Sequence, residues 1–149
     1  MKLLAGLVLF LLCGLLGEGR ARRLQRREQT LGRLRELIRD IGDRQLSGLI
    51  SFQEGALRCP PSPERDLLLA LLEDGAPQTP LLSPEERSRL TAYVRSESRS
   101  AAALRAERDV LMERLQREQD RAKEELTRKG QVYRSVGYLL GAAALLLVV

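Results

Sequence analysis

Two apolar runs enclose a strongly polar middle along this chain. From Leu3 to Gly17, and again after Arg134, no charged side chain occurs, although 30% of all residues are charged. Each run has about 15 residues, which as a helix cover about 22 Å of a bilayer core about 30 Å thick. Snorkelling arginines and local bilayer thinning can offset that shortfall. The pattern therefore predicts a transmembrane helix, a helical domain and a second transmembrane helix, over residues 1–17, 18–133 and 134–149.

Each run also has an alternative interpretation. An apolar run this short is often the buried core helix of a soluble protein. Lys2 and the leucines after it also fit the start of a secretory signal peptide, but no small-x-small cleavage site precedes the charge at Glu18. The sequence favours an uncleaved anchor. The alternative is a cleaved signal followed by a coiled-coil adaptor with a C-terminal tail anchor.

Basic residues border both runs on their inner sides. The positive-inside rule places such flanks in the cytoplasm, so the middle domain should be cytoplasmic, with the two ends just across the cell membrane. The same residues would lie close to anionic lipid headgroups. This basic cluster comprises Arg20, Arg22, Arg23, Arg26, Arg27, Arg128, Lys129 and Arg134.

The middle domain has the periodicity of helices. Nothing in it alternates with period two, and valine and isoleucine are scarce, which argues against a sheet. Apolar residues follow helical spacing in a first long helix ending near Gly48, and more sparsely in a last helix from about Ala101 to Lys129. An all-α antiparallel hairpin or bundle buries both stripes. The stripes are Leu24, Leu31, Leu34, Ile38 and Ile41 in the first helix, and Leu104, Leu111, Leu115, Ala122 and Leu126 in the last.

Cap signals predict three short helices between the two long ones. Ser62 and Pro63 begin one helix, which Gly75 ends. Its Leu67–Leu72 block is apolar on all sides, so it should be the most buried segment of the domain. The other two short helices each begin at a pair with capping-box spacing. These pairs are Ser51 with Glu54 and Ser83 with Glu86.

The composition argues against an enzyme. The chain has no histidine, so a histidine-based triad and imidazole metal ligation are unavailable, and no glycine-rich phosphate loop occurs. The carboxylates of the last helix face arginines four residues away, as on a solvated surface. Cys13 lies in an apolar run and Cys59 in the middle domain, so no disulfide is expected. We expect no catalytic residue, no metal and no cofactor.

The net charge of +5 would also suit a nucleic-acid partner. The excess lies largely in the basic cluster, however, and no aromatic residues interleave with that cluster to stack on bases. Because proximity to a membrane explains the same arginines more simply, we expect no nucleic-acid partner.

One spacing in the second run indicates a helix contact. Gly137 and Gly141 are four residues apart, which places them on one helix face. Small residues at this spacing let helices approach closely in lipid. Gly14 or Gly17 of the first run would be the partner, and the ordinary glycine content of membrane helices is the alternative explanation.

Three segments, taken in order, carry a family resemblance. The chain has a basic stretch after its first run (GEGRARRLQRREQTLGRLRELIRDI), a turn glycine with an apolar residue soon after it (QLSGLISFQEGAL), and the tail VYRSVGYLLGAAALLLVV. Together they resemble the stage III sporulation protein AB family of endospore-forming bacteria nearly end to end, and the tail is the most specific part. The chain departs from the family pattern near Arg44, Ser47 and Ser51, where an acidic residue, a tyrosine and a proline are usual.

The resemblance implies a function as well as an architecture. It implies a cytoplasmic helical domain similar to those of the platform proteins of type II secretion and type IV pilus machines. The expected role is a non-enzymatic scaffold of the channel between mother cell and forespore, in the membrane on the mother-cell side. The implied partners are other channel subunits and a secretion-type ATPase, besides membrane lipids, and the chain is a candidate homo-oligomer.

Overall fold

The computed structural model describes residues 2–48, 50–73, 80–96 and 100–148. Within those ranges all regular structure is helical and no strand occurs, so the all-α prediction is confirmed. In the same ranges, no helix combines enough length with enough apolar character to cross a membrane. The elements are α1 (Lys2–Gly48), α2 (Phe52–Leu57), α3 (Pro63–Leu72), α4 (Pro84–Val94), α5 (Ala101–Glu125), a π-helical turn (Leu126–Gly130) and α6 (Gln131–Val148).

Serine caps begin the short helices at the predicted places. Ser62 and Ser83 each accept a hydrogen bond from the backbone N–H three residues later, and a proline follows each of them. At Ser83 the capping box is complete, because the Glu86 carboxylate also accepts the Ser83 N–H at 2.6 Å. α3 ends at Leu72, and Gly75, its predicted end, lies outside the described residues.

The capping box predicted at Ser51 is only half formed. Ser51 Oγ accepts the Glu54 N–H at 3.2 Å, as expected. The Glu54 carboxylate, however, accepts a hydrogen bond from Arg58 Nη2 at 2.6 Å instead of from the Ser51 backbone. A guanidinium four residues along a helix is a charge-assisted donor, and it competes with a neutral backbone N–H for the same carboxylate.

α1 is longer than the sequence pattern indicated. The first apolar run and the first stripe, treated above as two helices, form one helix of 47 residues that ends at Gly48. The change from leucine to arginine after Gly17 does not interrupt it, because the backbone hydrogen bonds of a helix do not depend on side-chain polarity. An interior glycine weakens a helix by only about 1 kcal/mol.

The last helical run also continues where a boundary was expected. α5 passes through the π-helical turn directly into α6. The i→i+5 bonds of a π turn widen the helix locally. Gly130 is buried within this turn, and a Cβ added to it would lie 3.3 Å from Leu126 Cδ1, so the Leu126 side chain covers the glycine.

The chain forms two compact units, and each is described by itself. Unit 1 comprises residues 1–28 and 120–149, and unit 2 comprises residues 29–119. α1 and α5 therefore contribute residues to both units. Unit 1 contains the two apolar runs, whereas unit 2 contains the three short helices.

Unit 2 has an apolar core built around one face of α1. Leu31, Leu34, Ile38 and Ile41 are fully buried in it. The short helices contribute further buried side chains, among them Phe52 of α2, whose ring meets that of Tyr93 edge to face at 6.1 Å. The aliphatic stripe of α1 is therefore the centre of this unit.

The Leu67–Leu72 block has no exposed residue, but it is fully buried on one face only. Only Leu68 and Leu71 of the block are buried, and the other residues are half-buried. A helix of ten residues that packs on its neighbours along one side presents one face to the core. The leucines and the alanine that surround its axis cannot all be enclosed there.

Within unit 2, α1 and α5 run antiparallel. Gly32 lies beside Gln119 and Gly42 lies beside Arg108, so residue numbers rise along one helix as they fall along the other. A Cβ on Gly42 would lie 2.6 Å from Arg108 Cδ, and Arg108 Nη1 donates to Asp43 Oδ1 at 2.6 Å. Gly42 thus leaves room for an arginine at a stripe position where a regular coiled coil would have leucine.

Candidate functional site

Glycines bring α1 and α6 into close contact within unit 1. A Cβ added to Gly17 would lie 2.5 Å from the Tyr133 carbonyl oxygen and 3.4 Å from Gly137 Cα. A Cβ added to Gly137 would lie 2.9 Å from the Cys13 carbonyl oxygen. Because the neighbouring atoms are backbone, no side chain fits at either position unless the helices separate.

The contact continues along the same faces toward the apolar ends of the unit. A Cβ on Gly141 would lie 2.7 Å from Phe10 Cδ2 and 3.1 Å from Phe10 Cα. Gly14 faces the Tyr138 ring, and the Phe10 and Tyr138 ring centroids are 6.3 Å apart. The structure therefore places both Gly137 and Gly141 against α1, and the order of the contacts makes α1 and α6 antiparallel here.

Unit 1 exposes its large apolar side chains. Of fourteen such exposed side chains in the described chain, only Leu57 and Val110 belong to unit 2. Among the residues of unit 1 whose side chains the structure describes, the buried apolar side chains are the small ones of Ala21 and Ala122, and each leucine is exposed or half-buried. Exposed apolar side chains in such number mark a site for another protein or for lipid. The exposed members are Leu7, Val8, Leu11, Leu12, Leu15, Leu16, Val132, Val136, Tyr138, Leu139, Leu140 and Leu146.

Tyr133 and Arg20 lie beside the glycine contact. The Arg20 guanidinium carbon is 5.9 Å from the centroid of the Tyr133 ring, within the range of a cation–π interaction. Tyr133 is half-buried, and its carbonyl oxygen is the atom closest to the position of a Gly17 Cβ. Tyr133 therefore limits, through its carbonyl oxygen, how closely α1 and α6 approach each other. Its ring also contacts Arg20.

The rest of the basic cluster divides into paired and free cations. Arg22 pairs with Glu18, and Lys129 pairs with Glu125, each at 3.0 Å. Arg27 is half-buried. Four exposed arginines have no ion-pair partner among the described residues, and they are Arg23, Arg26, Arg128 and Arg134.

The two units differ in charge as well as in surface. Unit 1 contains eleven basic and five acidic residues, whereas unit 2 contains fourteen basic and fifteen acidic residues. The whole net positive charge of the chain therefore belongs to the unit that exposes the apolar side chains. Ion pairs between residues four apart are common in unit 2, for example between Arg117 and Glu113 at 2.5 Å.

The predicted stripes are buried to different degrees. Leu111 and Leu115 of α5 are buried in unit 2, together with the four stripe residues of α1 named above. Leu24, Leu104 and Leu126 are half-buried. The stripe residues buried in unit 2 therefore form its core, whereas Leu104 of unit 2 and Leu24 and Leu126 of unit 1 have partial contact with solvent.

α4 and α5 border an apolar groove of about 370 Å³ in unit 2. Tyr93 lines it, and burial raises the pKa of the Tyr93 hydroxyl. Val110 is 53% exposed at the groove. Arg114 is exposed there and has no ion-pair partner among the described residues, whereas Arg89 pairs with Glu85. The lining residues are Arg89, Ala92, Tyr93, Ala106, Glu107, Val110, Leu111 and Arg114.

The cysteines do not form a reactive centre. Both thiols are free, and Cys59 is buried. Burial, with a hydrogen bond toward Asp40 Oδ2 at 3.4 Å, raises the pKa of the Cys59 thiol, which keeps it protonated and poorly nucleophilic at neutral pH. Among the described residues, no group of three or more His, Cys, Asp or Glu side chains is arranged to hold a metal ion.

No protein-family model, no curated protein and no solved structure matches this chain. Three features of the described residues bear on function: the glycine contact, the exposed apolar side chains of unit 1 with the basic cluster, and the groove of unit 2.

Proposed function

We propose that this chain is a non-enzymatic membrane scaffold. The apolar ends in unit 1 lie in the lipid bilayer as a two-pass pair of helices, and unit 2 lies in the cytoplasm and docks partner proteins. The observation that carries the proposal is the reversed placement of apolar side chains in unit 1. Among its described side chains, the buried residues are glycine and alanine, and twelve large apolar side chains are exposed.

Transfer of that outward surface into lipid is strongly favourable. A half-exposed leucine that leaves water contributes about 1 kcal/mol, so twelve such side chains contribute on the order of 10 kcal/mol. Inside lipid the hydrophobic effect no longer holds helices together, and close packing takes its place. The backbone contact between Gly17 and Gly137 is the kind of contact that works there.

The basic cluster gives the proposed orientation. Its arginines follow the first apolar run and precede the second, so the positive-inside rule keeps unit 2 on the cytoplasmic side. The arginines can also snorkel to the interface, which helps two short runs reach across the hydrocarbon core. The ends of the chain would then lie just across the membrane.

Alkaline carbonate extraction of isolated membranes tests the insertion. The full chain should remain in the membrane pellet. A variant with Leu15→Asn and Leu139→Asn should be partly released, because it puts two amides on the lipid-facing surface. The matched change Leu57→Asn, at an exposed leucine of unit 2, should have no effect on extraction. Complete release of the unaltered chain would contradict the proposal.

Unit 2 supplies the proposed docking surface in the groove between α4 and α5. The groove has an apolar floor, and Arg114, which has no ion-pair partner among the described residues, lies at its rim. An amphipathic partner helix that carries apolar side chains and a carboxylate complements both features. We propose that such a helix belongs to a subunit of the mother cell–forespore channel or to its secretion-type ATPase, and this cellular setting rests on the family resemblance.

Photo-crosslinking tests the docking surface. A photoreactive amino acid at Val110 should capture a channel subunit or the ATPase in sporulating cells. The same amino acid at Leu57, which is exposed in unit 2 but does not line the groove, is the control. Equal capture at both positions, or capture of neither protein at Val110, would show that the groove is not the docking surface.

A further inference from the structure

Free guanidinium groups lie next to the apolar surface of unit 1. Along α1, Arg23 and Arg26 follow the exposed Leu16 by seven and ten residues, which corresponds to about 10 and 15 Å of helix rise. On the other side of the helix contact, Arg128 and Arg134 stand before and after the exposed Val132 in sequence. The unpaired cations therefore follow the exposed apolar side chains along α1, and they alternate with the first exposed valines at the start of α6.

These four arginines differ from the paired cations near them. Arg22 and Lys129 each pair with a carboxylate four residues earlier, whereas the four have no such partner among the described residues. Unit 1 carries six more basic than acidic residues (eleven against five), so its own carboxylates are too few to neutralise the cations. A planar guanidinium with free donors is well suited to bind a phosphate through two hydrogen bonds.

We propose that Arg23, Arg26, Arg128 and Arg134 bind the phosphate groups of anionic lipids and make unit 1 selective for those lipids over zwitterionic ones. The inference rests on the proposed membrane function and goes beyond it. The positive-inside rule concerns only the direction in which a helix inserts, and it requires no choice among lipids. Lipid selectivity would instead determine where in a membrane the scaffold gathers.

The neighbouring groups favour a lipid headgroup over other sources of phosphate. Exposed Leu16 precedes Arg23 and Arg26 on α1, and exposed Val132 lies within four residues of Arg128 and Arg134, so a phospholipid bound at the arginines can extend its acyl chains along the apolar surface. The aromatic ring next to them, that of Tyr133, is already occupied by Arg20 and is not free to stack on a base. A phospholipid therefore complements the arginines through its phosphate group and the exposed apolar side chains through its acyl chains.

The expected size of the preference follows from surface electrostatics. Each arginine near an anionic membrane surface raises the binding constant for that surface about fivefold at low salt. The attraction falls within a Debye length of about 8 Å at physiological ionic strength. The preference for anionic lipid should therefore decrease as salt is raised.

Tyrosine fluorescence provides the measurement. The chain has no tryptophan and three tyrosines, and two of them, Tyr133 and Tyr138, lie in unit 1. With Tyr93→Phe in place, the remaining emission comes from unit 1 alone. The full chain is reconstituted into mixed vesicles in which either the phosphatidylglycerol or the phosphatidylcholine carries brominated acyl chains. The ratio of quenching by the two brominated lipids gives the relative binding constant.

We expect the relative binding constant to favour brominated phosphatidylglycerol by well over tenfold at low salt, because the four arginines contribute about fivefold each. Arg23→Gln with Arg26→Gln should reduce the preference at least about fivefold, and the change of all four arginines should abolish it. The matched control is Arg39→Gln with Arg105→Gln, which removes two exposed arginines of unit 2 and should leave the preference within about twofold. Equal quenching by both lipids in the parent chain, or equal losses in the test and control pairs, would overturn the inference.

The same experiment separates this inference from the proposed function. If neither brominated lipid quenches the emission and the chain does not float with vesicles, then the membrane function itself is wrong. If both lipids quench equally, the chain is inserted and only the lipid selectivity is wrong. Quenching that favours the anionic lipid and responds to the four arginines supports both.

Discussion

At the scale of single residues, Gly17 and Gly19 of α1 differ in the space available for a side chain. Gly17 lies against the backbone of α6, whereas a Cβ on Gly19 would meet nothing within 4 Å. We predict that Gly17→Ala lowers the free energy of unfolding by about 1–3 kcal/mol, because the methyl group forces the helices apart. Gly19→Ala should instead raise it by up to about 1 kcal/mol through helix propensity.

The pair of alanine variants can be compared by thermal denaturation of the full chain in a mild detergent, followed by circular dichroism. The two changes add the same atoms two residues apart in one helix, so general effects of alanine cancel. A Gly17→Ala variant that is as stable as Gly19→Ala would mean that the contact between α1 and α6 does not form.

Sequence spacing located part of this contact but not its partners. Gly137 and Gly141 stand out because they are four residues apart in an apolar run, and Gly17 was one of two candidates opposite them. The contact of Gly141 with Phe10 and that of Gly42 with Arg108 could not be found in this way. Both depend on the register between helices far apart in sequence, and a helical pattern does not encode that register.

At the scale of elements, the Ser83 cap of α4 tests whether a local capping bond stabilises the helix that it begins. Ser83 Oγ accepts the Glu86 N–H at 3.1 Å, so Ser83→Ala leaves that donor without its side-chain acceptor. We predict a loss of about 1 kcal/mol in the free energy of unfolding. Ser88→Ala, in the exposed middle of the same helix, should be neutral or slightly stabilising. Urea denaturation of the two variants measures the difference, and equal effects would contradict the role of the cap.

The helices show which features of the fold are determined by residues close together in sequence. Serine and proline fix the starts of α3 and α4, because the capping bonds form within one turn of helix. The continuity of α1 and the π-helical turn were not foreseen. A change from leucine to arginine signals a change of environment rather than a helix end. The widened turn at Leu126–Gly130 has no residue pattern of its own in this sequence.

At the scale of the whole molecule, different residues are buried inside the two units. Unit 2 encloses leucine and isoleucine, and unit 1 encloses glycine and alanine. Composition alone predicts that the two ends differ from the middle. It does not indicate that the boundaries between compact units fall after Glu28 and Gln119, within the polar part of the chain, because those boundaries depend on which side chains pack together.

The central claim is that unit 1 lies in the membrane and unit 2 faces the cytoplasm. Its most direct test is thiol labelling of intact cells with a membrane-impermeant maleimide. The chain would carry Ser88→Cys, at an exposed position of α4, with Cys13→Ala and Cys59→Ala removing the native thiols. The account predicts no labelling until the cells are permeabilised, and full labelling afterwards. Labelling of the Ser88→Cys variant in intact cells would contradict it.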